Sequence, residues 1–291
     1  MKKLKRILAC LSLLALTTAF VSCGDNNKVT IKDIEITEAV DSKYVQPNEL
    51  DFIYNKTNDG EYLDIKRIKS TKEEINIASQ YGGYEVRNFQ PDYYVVDGEP
   101  FINTTTKKII LPDTIEKING SILFTYSNLE EIVLPKKLTK IIHFLTSPSL
   151  KKIEISSDNE YFKVENNKLI DKENNRLLKV FNLENDSITI DGFKEIGDNA
   201  ICKTDLTEII FSDGVEEISG TSIRGNQKLT SITLPSTFKG FVPSYDNSWE
   251  TALYSNYAIF STNENLKTIY NYSNVELDLS SRGIEVINMT K

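Results

Sequence analysis

The chain has 291 residues, 40% of them hydrophobic and 26% charged, with a formal net charge of −8. That composition is too charged for a membrane bundle and too apolar for a disordered chain, and the length suits one large domain or two small ones. Its acidic balance repels phosphate backbones, which argues against nucleic-acid binding.

The N-terminus carries a processing signal. Lys2 to Arg6 form a basic start, and Ile7 to Val21 an apolar run too short for a comfortable membrane span, ending in small residues at a cysteine. Phe20-Val21-Ser22-Cys23 resembles a bacterial lipobox, with Phe20 where leucine is usual. The resemblance implies removal of residues 1–22, acylation of Cys23, and an exported chain held to a bacterial membrane, at the cell surface, only through its lipid. Ile7-Leu8-Ala9-Cys10 fits the same pattern but leaves almost no apolar run ahead of it. Four of the 34 basic residues precede Cys23 and no acidic residue does, so the remainder carries 30 basic against 42 acidic side chains. With Cys10 removed and Cys23 lipidated, Cys202 stands alone; no intrachain disulfide is expected, and Cys202 reads as a small buried hydrophobe. Residues 23–49 read as an acidic, Asn-rich tether, with a strand near Val29 to Ile36 as its candidate element.

An internal repeat follows. The pattern L-x-x-I-x-L recurs as Leu129-Ile132-Leu134, Leu150-Ile153-Ile155, Leu206-Ile209-Phe211 and Leu229-Ile232-Leu234, with variants at Ile109-Leu111, Ile188-Ile190 and Leu266-Ile269. The leucine spacing is 21 residues from Leu129 to Leu150 and 23 from Leu206 to Leu229; the 37 residues from Leu229 to Leu266 are one repeat plus an insertion. A second motif trails the first in constant phase: Leu111-Pro112 to Ile115 and Ile118, Leu134-Pro135 to Leu138 and Ile141, Phe211 to Val215 and Ile218. In each I-x-L the two apolar side chains point to one face and the residue between them to the other. One such strand cannot bury its apolar face; stacked copies form a parallel sheet over a continuous core.

These residues resemble the BspA-type leucine-rich repeats of bacterial surface proteins. Ile196-Gly197-Asp198-Asn199-Ala200-Ile201 is similar to that family's I-G-x-x-A-F step, and Leu266-Lys267-Thr268-Ile269-Tyr270, with Phe260 upstream, to its closing repeat. Ile75 to Val86 resembles its opening repeat, as does a hairpin from Phe52 to Ile65 turning at Asn58-Asp59-Gly60, and Asn159 to Phe181 resembles an extra hairpin common in the family. The resemblance implies a β-rich leucine-rich-repeat solenoid over residues 50–275, a right-handed superhelix with a short-stranded parallel sheet, an N-terminal hairpin and inserted hairpins and loops. One inserted hairpin is expected at about 156–186 and an aromatic insertion at about 241–257. Residues 276–291 read as a C-terminal cap, with Ile284-Glu285-Val286 as the alternative of one more strand.

Catalytic chemistry finds no support. His143 is the single histidine, which counts against metal sites and nucleophile–histidine triads, and no Gly-rich phosphate loop or metal-ligand spacing occurs. No catalytic residue, metal or cofactor is expected. Glu130-Glu131 and Glu216-Glu217 are adjacent, so their carboxylates diverge; Asp171 to Asn175 lacks the alternating oxygen ligands of a calcium loop and reads as a hairpin tip. The L-P-x-T strings at Asp113-Thr114 and Ser236-Thr237 share one repeat position and read as turns. Two surfaces remain. The first is the outward row of the strands: Lys108, Ile110, Glu131, Val133, Lys152, Glu154, Glu208, Ile210, Ser231 and Thr233. The second is the aromatic insertion with Tyr245, Trp249, Tyr254 and Tyr257, whose rings either stack on a ligand or plug a degenerate repeat. The resemblance implies a non-catalytic, monomeric adhesion protein with protein or glycan partners on host or neighbouring cells. The aromatic insertion supplies the alternative of a glycan-binding accessory lipoprotein in nutrient uptake.

Overall fold

The computed structural model describes residues 30–89, 105–119, 128–142, 147–243 and 258–290. The repeat builds two separate parallel sheets. The first stacks Glu74–Asn76, Lys108–Ile110, Glu131–Val133 and Lys152–Glu154; the second stacks Ser187–Ile190, Glu208–Phe211, Ser231–Leu234, Thr268–Asn271 and Glu285–Asn288. In the first sheet Ile75, Ile109, Ile132 and Ile153 stand in one register row, each at most 3% exposed. Ile209, Ile232 and Ile269 form the matching row of the second, each at most 1% exposed. Burying an isoleucine side chain contributes roughly 1.5–3 kcal/mol, so these rows fix the register. A shift of one residue would turn every apolar side chain outward.

The second motif forms sheets of its own. Lys117–Asn119 and Lys140–Ile142 pair in parallel and join Tyr84–Phe89, which continues into the antiparallel pair Leu50–Thr57 and Gly60–Ile68. The hairpin turns where expected, with Gly60 at φ +121°, a conformation that L side chains rarely adopt. In the other half Glu195–Ile196, Glu217–Ser219 and Gly240–Val242 stack in the same manner. The prolines of Leu111-Pro112 and Leu234-Pro235 stop their strands and start turns closed by Ile115 N–H to Pro112 O at 3.1 Å and Phe238 N–H to Pro235 O at 3.1 Å.

The inserted hairpin is three-stranded. Phe162–Glu165, Lys168–Asp171 and Arg176–Val180 pair antiparallel, and Arg176–Val180 then pairs in parallel with Glu195–Ile196. Asn166 and Asn167 both take positive φ in its first turn, as a two-residue primed turn requires. At the second tip the Asp171 carboxylate accepts the backbone N–H groups of Glu173 and Asn174, so it caps a turn. Phe162 and Leu169 pack into the core under the first sheet, while Ile170 and Leu177 pack into the core under the second. The hairpin is thus a wedge between two cores, and it separates the two strand stacks.

Three boundaries differ from the sequence expectation. Residues 30–49 are not a tether but part of the fold. Thr30–Ile34 pairs antiparallel with Leu50–Thr57, Ile36 and Val45 are buried, and the Val45 N–H donates to Asn76 O at 2.8 Å, covering the edge of the first sheet. Tyr81 pins this segment: its Oη donates to Val45 O at 2.9 Å and accepts from the Ala78 N–H at 3.1 Å. The strand Thr30–Ile34 falls within the candidate strand Val29 to Ile36, but the irregularly spaced apolar residues after it carry no period, so the burial of Val45 left no signal in the sequence. At the other end, Glu285–Asn288 pairs in parallel with Thr268–Asn271, so of the two readings of residues 276–291 the alternative of one more strand holds, with Leu279 and Ile284 buried beneath it. The aromatic insertion begins after Val242 instead of at residue 241, because Phe241 pairs with Ile218 in register and packs edge-on against Phe260 at 5.4 Å.

Candidate binding face

The pleat leaves two outward columns on each strand stack. On the first stack one column reads Glu74, Lys108, Glu131, Lys152 and the other Asn76, Ile110, Val133, Glu154. Lys108 Nζ lies 3.9 Å from Glu74 and 3.7 Å from Glu131, and Lys152 pairs with Glu154. Its cations and carboxylates therefore answer one another on the same face. The glutamates that precede or adjoin these strands diverge as expected: Glu130 pairs with Lys151 at 2.7 Å and Glu216 with Lys239 at 2.8 Å, each one repeat onward.

The second stack is different chemistry. One column reads Ser187, Glu208, Ser231, Thr268, Glu285, and the other Thr189, Ile210, Thr233, Tyr270, Ile287. No lysine or arginine occupies an outward position. Among the described residues, neither Glu208 nor Glu285 forms an ion pair. Ile210, Thr233, Tyr270 and Ile287 are half-buried, so the face presents apolar and aromatic surface flanked by hydroxyls and two carboxylates. The expected outward row is therefore two faces. Lys108, Ile110, Glu131, Val133, Lys152 and Glu154 lie on the first, and Glu208, Ile210, Ser231 and Thr233 on the second. Ser187, Thr189, Thr268, Tyr270, Glu285 and Ile287 complete the second face and were missed; the I-x-I phase at Ile188-Ile190 and the alternation around Ile269 already placed the first four outward.

Behind the second face runs a polar ladder that holds the repeats in step. The side-chain amide of Asn226 donates to Ile201 O at 2.9 Å, and that of Asn263 to Ile223 O at 3.0 Å; Asn263 Oδ1 accepts the Asn226 N–H at 2.8 Å. All of these groups are buried, so each bond removes a penalty that an unmet donor or acceptor would carry. In the first half the same position, three residues before the repeat leucine, is Ser147, whose hydroxyl donates to Leu129 O at 2.9 Å.

Cys202 is buried, as its solitary status implied, with Sγ 3.6 Å from Ser222 O, and burial pushes its thiol pKa up. Nearby lies Lys179, a buried lysine with no sequence signal, donating to Asn199 O at 3.4 Å. Burial pushes its pKa down. Neither side chain opens onto either face. Cys23, His143, Tyr245, Trp249, Tyr254 and Tyr257 lie outside the described residues. Among those described, no group of three or more His, Cys, Asp or Glu side chains is arranged to hold a metal ion, and no helix is long and apolar enough to cross a membrane.

Comparison with known proteins identifies the family. No curated protein matches the chain. Solved structures similar to it include a leucine-rich repeat protein from Eubacterium ventriosum, 12% identical with a TM-score of 0.38 over 90% of this chain and 85% of that one. A leucine rich cell surface protein from Faecalibacterium prausnitzii is 14% identical with a TM-score of 0.29, covering 84% of this chain and 94% of that one. The pneumococcal vaccine antigen PcpA is 14% identical with a TM-score of 0.28, covering 85% and 98%. The family assignment rests on sequence: six copies of the BspA type leucine rich repeat region match residues 88–168 and 175–281. The strand Glu74–Asn76 continues the stack one repeat ahead of that match. The chain belongs to the BspA-type leucine-rich repeat family.

Proposed function

We propose that the chain is an exported, lipid-anchored, non-catalytic adhesion protein that recognises macromolecules on host or neighbouring cells through its second strand face. The observation that carries the reading is the five-strand register, which sets Ile210, Thr233, Tyr270 and Ile287 side by side at the surface. A rigid sheet presents such a surface at little ordering cost, and an aromatic flanked by aliphatic and polar groups is the usual make-up of an interface centre. Membership of a repeat family of binding proteins supports the same reading. The expected state is a monomer.

The test is adhesion of the purified domain to immobilised matrix proteins and to cells, with Thr233→Arg as the variant. A long charged side chain at the centre of the face should lower binding at least tenfold while thermal unfolding stays unchanged. Undiminished binding by a folded Thr233→Arg protein would remove the face from consideration. Binding to purified glycans alone, lost in the same variant, would move the assignment to a glycan-binding accessory of nutrient uptake. Anchoring is tested separately: Cys23→Ser should leave the signal uncut or release the protein from membranes, and unchanged fractionation and processing would refute it.

A further inference from the structure

The two faces share a backbone plan and differ in how their charges are met. On the first, Lys108 stands between Glu74 and Glu131, and Lys152 answers Glu154. On the second, Glu208 is half-buried and Glu285 exposed, and no outward position of the five strands supplies a cation. Carboxylates left uncompensated beside half-buried apolar side chains favour a partner that brings the missing charge. The overall excess of 42 acidic over 34 basic residues steers such a partner inward.

Spacing narrows the partner further. Glu208 and Glu285 occupy the same column three strands apart, which at the usual inter-strand distance is about 14 Å. An extended chain covers that span in about four residues. The apolar column of Ile210, Tyr270 and Ile287 runs alongside, two residues further along each strand and so about 7 Å away. We infer that the second face takes a cationic, extended protein segment lying across its strands. Two basic side chains four residues apart meet Glu208 and Glu285, and apolar side chains cover Ile210, Tyr270 and Ile287. This rests on the reading of that face as the binding surface and adds the chemistry of its partner.

The probes are three nine-residue peptides of alternating valine and serine: one with two lysines four residues apart, one with glutamates at those places, and one uncharged. Binding to the full chain is measured at low and high salt. The lysine peptide should bind, weakening at least tenfold from 50 mM to 500 mM salt and at least tenfold in the double variant Glu208→Gln/Glu285→Gln. The glutamate peptide should not bind, and Glu131→Gln/Glu154→Gln should behave as the unmodified chain. Because all four glutamates lie at outward positions, these variants should fold, and the salt series on the unmodified chain stands independently of them. A lysine peptide that binds no better than the uncharged one, or that ignores the double variant, overturns the inference. The outcomes separate the two claims. If the uncharged peptide binds and Thr233→Arg abolishes it while Glu208→Gln/Glu285→Gln does not, the face stands and its cationic partner falls. If Thr233→Arg changes neither peptide nor cell binding, both fall.

Discussion

The two halves of this molecule are built from the same repeat but reach stability and surface chemistry by different routes. Residues 74–154 stack four strands whose register row of isoleucines is buried as tightly as Ile209, Ile232 and Ile269 of the second stack, where the end members Ile188 and Val286 are half-buried. Yet the first half spends its outward positions on ion pairs within the face, while the second leaves hydroxyls, aliphatic groups, a tyrosine and unmatched carboxylates there. The second half also has asparagines joining successive repeats where the first has Ser147. A repeat therefore specifies the frame through its inward residues and leaves recognition to the outward ones. Among the described residues, the second frame leaves the carboxylates of Glu208 and Glu285 without an ion pair, where the first pairs its outward charges.

The largest expected effects test the shared frame. Ile132→Ala and Ile209→Ala should each cost about 2–5 kcal/mol, the range for truncating a large core side chain. Glu208→Ala, one residue from Ile209 but facing out, should stay within about 0.5 kcal/mol. Chemical denaturation of the three variants checks the strand phase of both halves, and equal losses at 208 and 209 would refute it. Next comes the ladder. Asn263→Ala leaves the Ile223 carbonyl and the Asn226 N–H unmet in the interior, each costing about 1–3 kcal/mol. Ser147→Ala removes the bond to the Leu129 carbonyl, and losing that bond should cost about 1 kcal/mol. If the two variants are equally mild, the second half owes no extra stability to its asparagines.

Much of this frame was legible in the sequence. The pattern L-x-x-I-x-L gives strand phase directly, because burial on one face forces a period of two. The buried row Ile109, Ile132, Ile153, Ile209 and Ile232 follows from it. What was illegible lacked a period. Residues 30–49 are held by Val45, Ile36 and the Tyr81 hydroxyl, scattered contacts that no spacing announces. The division of the outward row into two faces depends on the hairpin Phe162 to Val180 entering between the stacks, and its length alone did not reveal that its third strand replaces a repeat strand. Lys179 looks in sequence like any strand lysine; only the packing of Arg176–Val180 against the second core makes it a buried one.

That lysine gives a pH-dependent contrast confined to the second half. Burial lowers the Lys179 pKa in the folded state, while the unfolded chain titrates near about 10.4. A group whose cationic form is disfavoured by folding contributes stability above its unfolded pKa, lost as pH falls toward the folded value. Lys179→Met should therefore stabilise the protein at pH 7, with the gain shrinking as pH approaches 10. Cys202 acts in the opposite sense: burial raises its thiol pKa, so its contribution is lost as pH rises past about 8.5. Comparing the protein with and without Lys179→Met, both in a Cys202→Ala background, isolates the lysine. A gain independent of pH between 7 and 10 would show that Lys179 is not destabilised as a buried cation.

The smallest expected effect on stability is the sharpest test of the contrast between faces. Lys108 pairs with Glu74 and Glu131 at 3.9 and 3.7 Å, all three being partly exposed. Pairs of this kind contribute about 0–1 kcal/mol, screened further by salt. Lys108→Gln should thus change unfolding by no more than about 0.5 kcal/mol. Its consequence for the surface is larger. Glu74 and Glu131 are then left without their cation, beside Ile110 and Val133, which reproduces on the first stack the combination found at Glu208, Ile210 and Glu285. If uncompensated charge beside apolar surface is what distinguishes the second face, the Lys108→Gln protein should gain a second, weaker, salt-sensitive site for the two-lysine peptide. That site should persist when Glu208 and Glu285 are both changed to glutamine. Titration calorimetry of the triple variant reads it directly. No gain in binding would mean that Tyr270 and the hydroxyls of the second face, and not its unmatched carboxylates, make the difference.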